Sequence, residues 1–108
     1  MDSREISNRF LHDFRKTVGD CVAENHYGRF QELCHRHGVG FHSESGGPPP
    51  VPIEALQCLG KTDIPMGEFW VSGGSSKLND VERFCVKGAA SAAHIYGKKL
   101  VAAEAFTH

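Results

Sequence analysis

At 108 residues, 40% hydrophobic and 23% charged, the chain is ordinary globular material, long enough for one domain at most and a modest core. A formal net charge of −1 with no block of Lys or Arg argues against nucleic acid or an anionic membrane surface as a partner. No apolar run approaches the ~20 residues a membrane helix needs, and the opening MDSREISNRF lacks the apolar stretch of a signal peptide.

Ile6, Phe10, Phe14 and Val18 recur four apart and predict one stripe of a helix over residues 4–18, with Ser3 as a cap. Gly19 interrupts, and Asp20 caps a second expected helix in which Ala23, Tyr27, Phe30 and Cys34 share a face. His35, Arg36 and His37 sit where a helix dipole favours cations, and Gly38 suits the residue just past the end. Val39–Ser43 then alternates as a strand. Ser45–Pro52 (SGGPPPVP) reads as a rim loop, since proline removes donors and glycine loosens the backbone. Pro52 at a first turn, IEALQCL and Gly60 predict a short helix.

Asp63–Trp70 is the second expected strand, with Pro65 near its start, and GGSS makes another loop. Asn79 with Glu82 resembles a capping box. Val81, Phe84, Cys85, Ala89, Ala92 and Ile95 mark a long helix stopped at Gly97, and its GAASAA run permits close packing on a sheet. Leu100–Ala103 is the third strand. The four cysteines, Cys21, Cys34, Cys58 and Cys85, follow no CxxC pattern and read as small buried hydrophobes.

The order α-α-β-α-β-α-β predicts an α/β fold with parallel strands and covering helices. Three strands cannot close a barrel that needs eight. The chain is therefore either a small open α/β layer or a slice of a larger barrel, whose exposed strand edges need a partner.

Each expected strand carries a glutamate toward its far end: Glu44 in GFHSESGG, Glu68 in IPMGEFW and Glu104 in LVAAEAFTH. Parallel neighbours bring these to one rim of the sheet, where strand–helix folds build their active sites. Carboxylates gathered there read as carbohydrate chemistry or as a hard-metal site. Glu44 follows His42 and Ser43; it is either part of such a site or a solvated strand end. Glu68 lies among Met66, Phe69 and Trp70, an apolar enclosure suited to acid/base work, with two rings able to stack on a sugar. The competing reading is an ion-paired glutamate beside a core tryptophan. Glu104 follows small residues and fits a structural salt bridge equally well. Asp63 is expected only to end a turn.

Other chemistries find little support. Cys34-His35-Arg36-His37 with His42 invites zinc, but the spacing matches no standard ligand set. SGGSS and SGGPPP lack the lysine and glycine order of phosphate loops, and no GxSxG is present.

Three segments in order, RFLHDFRKTVGDCVAENHYGRFQELCHRHGVGFHSESGG, DIPMGEFW and KGAASAAHIYGKKLVAAEAFT, resemble the family-106 glycoside hydrolases, the inverting α-L-rhamnosidases. The resemblance covers nearly the whole chain. It implies a partial (β/α)8 TIM barrel over residues 1–108, the C-terminal third of a catalytic domain, roughly strands six to eight. It also implies a rhamnose-containing glycan or glycoside as substrate. In that family the general acid stands on an earlier strand, in a motif absent here.

By the same resemblance, Glu68 in GEFW becomes the general base that activates water. Glu44 joins the calcium- and sugar-binding set, a hard oxygen ligand for a hard ion, and calcium is expected to engage the rhamnose hydroxyls. His42, Trp70, Glu104 and His108 fall to substrate contact. Related enzymes are often secreted or periplasmic. Without its general acid the isolated chain is expected to be inactive, and its partners would be the remainder of the barrel or a second copy. The alternative is a non-catalytic α/β module binding carbohydrate or a partner through the same rim.

Overall fold

The computed structural model describes residues 3–46, 53–69 and 80–105. Trp70 and His108, both expected to touch substrate, lie outside these residues, as do residues 47–52 of the first expected rim loop and the whole GGSS segment. The elements run α1 (Arg4–Val22), a π-helical turn (Ala23–Gly28), α2 (Arg29–Arg36), β1 (His42–Glu44), α3 (Ala55–Gly60), β2 (Ile64–Phe69), α4 (Asp80–Ile95) and β3 (Ala102–Ala105). The strands form one parallel sheet in the order β1-β2-β3. This is the mixed α/β architecture expected.

Ser3 caps α1 by accepting the Ile6 N–H at 3.3 Å. Gly19 does not interrupt the helix. It is buried in α1, where a Cβ would lie 3.4 Å from Glu54, and the chain continues helical to Arg36. The break in the sequence pattern is instead a single turn of π geometry, in which the Arg29 N–H donates to the Glu24 carbonyl five residues back. Lys61 Nζ, at the end of α3, pairs with Glu24 Oε1 at 2.7 Å and ties α3 to this turn.

Both expected glycine stops hold. Gly38 has φ +72°, its N–H donates to His35 O, and the Val39 N–H reaches back to Cys34 O at 3.0 Å, a Schellman closure. Gly97 has φ +65°, with the Lys98 N–H on Ala93 O at 2.8 Å.

The sheet is covered on one face. Along β2, Pro65 and Gly67 are buried while Ile64, Met66 and Glu68 are half-buried, the period-2 alternation of a strand with helices on one side only. Gly67 faces α4 so closely that an added Cβ would stand 2.7 Å from the Cys85 carbonyl oxygen. Small residues make the core: Ala23, Tyr27 and Cys58 pack with Val22, Phe41 and Ile53, and Leu59 packs with Ala89 and Ala92.

The first stripe behaves differently. Ile6, Phe10 and Phe14 are 55%, 67% and 57% exposed, and residues 3–17 are exposed throughout. Burying such side chains contributes roughly 1.5–3 kcal/mol each, a gain α1 forgoes within this chain. The radius of gyration is 16.3 Å, against about 13 Å for a compact domain of this length. α1 is shaped for a surface that these residues do not supply.

Asp63 does far more than end a turn. Its Oδ2 accepts the Phe41 N–H at 2.7 Å and lies 2.8 Å from His35 Nε2, while Oδ1 accepts from Gln31 Nε2 at 3.0 Å. The Asp63 N–H returns a 2.7 Å bond to Phe41 O. One side chain thus joins α2 to the starts of β1 and β2. Burial pushes its carboxyl up, but the Phe41, His35 and Gln31 bonds and the His35 charge outweigh burial and hold it below the usual range. A depressed folded-state pKa adds stability that is present above the unfolded value and is lost as pH falls through the folded one. Asp63→Asn is accordingly expected to cost about 1–3 kcal/mol in urea unfolding at pH 7, since an amide cannot accept at both atoms. The difference from wild type should shrink below about pH 4, where free aspartate protonates.

Candidate functional site

The register fixes how the strand-end carboxylates meet. Glu68 stands directly opposite Glu104, and Glu44 directly opposite Met66. Met66 and Glu68 are two apart on β2, so alternation puts Glu44, Met66, Glu68 and Glu104 on one face. It is the face away from the helices, and His42, opposite Ile64, shares it. The expected convergence is therefore present, with a stagger: Glu44 sits one rung behind the other two.

Contact among the three shows in their electrostatics. Burial, then the charges of Glu68 and Glu104, then hydrogen bonding of the protonated form to both, push the Glu44 carboxyl above the usual range. Glu44 Oε1 is buried and has no hydrogen-bond partner among the described residues. Ionised carboxylates only accept, so the contacts to Glu68 and Glu104 become hydrogen bonds only when a proton is shared. Cys85, at the start of α4, feels the same cluster: burial first, then the charges of Glu68 and Glu44, push its thiol up.

Glu44, Ser45, Ala55, Leu59, Met66, Glu68 and Cys85 line a cavity of about 20 Å³, enough for a single water. A sugar ring cannot enter it. Among the described residues, no group of three or more His, Cys, Asp or Glu is arranged to hold a metal ion. In the Cys34–His37 segment, His35 is engaged with Asp63.

Two contributors escaped the sequence reading. Asp63 is one, because its donors stand 22 to 32 residues away. Tyr27 is the other. Assigned only to a helix stripe, it is 7% exposed and sends its hydroxyl to the end of β1, donating to Glu44 O at 3.1 Å and accepting the Gly46 N–H at 3.2 Å. Burial pushes its phenol up and keeps it a neutral donor. The available signal was general: a buried tyrosine needs a partner for its hydroxyl.

With this geometry in hand, the relatives become informative. The profile of the glycoside hydrolase 106 family, described as alpha-L-rhamnosidase, matches residues 1–108. The chain belongs to this family.

A solved rhamnosidase from Novosphingobium sp. PP1Y superposes on this family member with a TM-score of 0.84 and 34% identity, over 91% of this chain and 9% of that one. A protein of Formosa agariphila named "Putative beta-glucuronidase" is 40% identical over 107 residues, 99% of this chain and 8% of the relative. The chain thus spans about a tenth of the length of the relatives it matches. The resemblance drawn from the three sequence segments is borne out at the level of the family.

Proposed function

We propose that this chain is the carboxylate-bearing part of the catalytic domain of an α-L-rhamnosidase, three strands of a larger (β/α)8 barrel. The observation that carries this reading is the placing of Glu44, Glu68 and Glu104 together on the uncovered sheet face, in a chain matched end to end by the rhamnosidase family. In a barrel, that face lines the interior and its strand ends line the active site. The bare stripe of α1 and the open edges of β1 and β3 would be covered by the neighbouring strand–helix units.

Glu68 is the proposed general base, taking a proton from the water that attacks the anomeric carbon from the face opposite the leaving group. The reaction proposed is a single displacement with inversion, which needs an acid and a base roughly 6.5–9.5 Å apart with a water between them. Glu104 stands directly opposite Glu68 on strands only about 4.8 Å apart, and the protonated Glu44 carboxyl hydrogen-bonds to both, so neither leaves room for a water between itself and Glu68. That acid would come from another part of the enzyme, and the isolated chain would be inactive.

Calcium is proposed at Glu44 because its Oε1 is a buried hard oxygen without a partner; the described residues form no three-ligand group by themselves, so the other donors would come from elsewhere in the enzyme. Glu44 is the ligand this chain would contribute. When bound, the ion would supply positive charge that orients the rhamnose hydroxyls. Glu104 and His42, on the same face, would touch the sugar.

The name of the 40% identical relative raises a second reading, a β-glucuronide substrate. A third, a module binding carbohydrate without turnover, applies to the chain taken alone. Assay of the longer enzyme proposed to carry this chain separates them. Aryl α-L-rhamnosides should be hydrolysed with release of the β-anomer, and aryl β-D-glucuronides left intact. Glucuronide turnover would replace the reading with the second, and sugar binding without turnover of either substrate would favour the third.

A further inference from the structure

Tyr27 reaches the proposed site from behind. β1 ends at Glu44, the last residue in register with β2. Beside this end the Tyr27 hydroxyl donates to Glu44 O at 3.1 Å and accepts the Gly46 N–H at 3.2 Å, bracketing Ser45. The residues so held carry the carboxylate whose Oε1 is buried without a partner.

Tyr27 stands in the one π-helical turn of the described residues, where Arg29 N–H bonds Glu24 O. A π turn admits one more residue than an α turn and is the less stable arrangement, found mostly as single turns near functional sites. Here it has a local reason. Ala23 remains in the core while Tyr27, four residues on, is buried against Cys58 with its hydroxyl at the strand end. The His26 ring meets the Tyr27 ring edge-on at 5.1 Å.

We propose that Tyr27 is a positioning residue of the sugar site: its hydroxyl sets the backbone from Glu44 to Gly46 and thereby aims the Glu44 carboxylate. This rests on the reading of Glu44 as a sugar- and calcium-site residue, while the backbone clamp itself stands on the two hydrogen bonds.

Tyr27→Phe keeps the ring and removes only the hydroxyl. In the 108-residue chain, the Gly46 amide is expected to exchange about fivefold faster, the factor an ordinary net hydrogen bond confers. The Glu44 carboxyl carbon should shift in its NMR resonance, with the amides of α2 and α4 exchanging at wild-type rates. In the longer enzyme, KM for an aryl α-L-rhamnoside should rise about tenfold while kcat stays within about twofold, the split produced when ground-state and transition-state binding fall equally. An unchanged Gly46 amide overturns the proposal. So does a uniform acceleration of all amides, which marks a merely structural role, and so does an unchanged KM beside a faster Gly46. If the longer enzyme cleaves no rhamnoside at all, the functional reading falls, and the Gly46 and Glu44 measurements still decide whether Tyr27 aims that carboxylate.

Discussion

Replacing Glu68 by glutamine in the longer enzyme should lower kcat for rhamnoside hydrolysis by about 10²–10⁴-fold, the range a general base supplies, and leave KM nearly unchanged. The amide keeps the shape and hydrogen-bonding capacity of the side chain but cannot take a proton from water. Sugar affinity should persist because the contacts proposed for binding belong to Glu44, His42 and Glu104, each at its own place on the open face. Azide offers a sharper check. A small external anion in the space left by truncating the side chain should restore turnover in Glu68→Ala if Glu68 is the base. Wild-type kcat in Glu68→Gln would move the role to another group, first of all to Glu104 in direct register.

The largest expected effect on stability belongs to Gly67→Ala. The added Cβ would stand 2.7 Å from the Cys85 carbonyl oxygen and 2.9 Å from its carbonyl carbon, both backbone atoms of α4. No rotamer change relieves such a clash, so β2 and α4 must part. Forced separation of packed elements costs about 1–3 kcal/mol or more. At about 4–8 °C per kcal/mol in domains near this size, the melting temperature should fall by roughly ten degrees. The consequence reaches the site, since Gly67 lies between Met66 and Glu68. A melting curve unchanged from wild type would mean that α4 is not seated on β2 as described. Gly60→Ala should be milder. Its Cβ would meet the Tyr96 ring at 2.6 Å, but that ring is 45% exposed and can swing aside.

Much of this fold was legible in the sequence because its signals are local. The Ser3 cap and the Gly38 and Gly97 stops act within a few residues and appear where expected, and each apolar run yields a strand. Strand limits slipped: Val39–Ser43 became His42–Glu44, and Leu100–Ala103 became Ala102–Ala105. Strand ends are set by register with a neighbour, which no single run encodes. The π turn was invisible for the same reason. Its cause is the reach of Tyr27 to a strand end 17 residues ahead, and the glycine that looked like a helix break, Gly19, is a packing contact with Glu54. The stripe of α1 was readable as a helix face, while its exposure was not, because exposure depends on what lies beside it.

The carboxylate site divides along the same line. That three strand-end glutamates would share a rim followed from their positions and from parallel pairing. The stagger of Glu44 behind Glu68 and Glu104, its orphaned oxygen and the two clamps formed by Tyr27 and Asp63 are tertiary facts. They change the site from a row of equivalents into a set of distinct positions. Glu68 and Glu104 face each other at the strand ends, and Glu44 lies deeper, held from behind.

The central claim is that this staggered trio is where the sugar binds. Carbon-13 NMR of glutamate carboxyl groups in the longer enzyme, with L-rhamnose added in steps with and without calcium, tests it directly. The resonances of Glu44, Glu68 and Glu104 should move together along one binding curve while those of Glu5 and Glu24, exposed on the helical side, stay in place. Saturable rhamnose binding that leaves the three strand-end carboxyl groups unmoved would contradict the account.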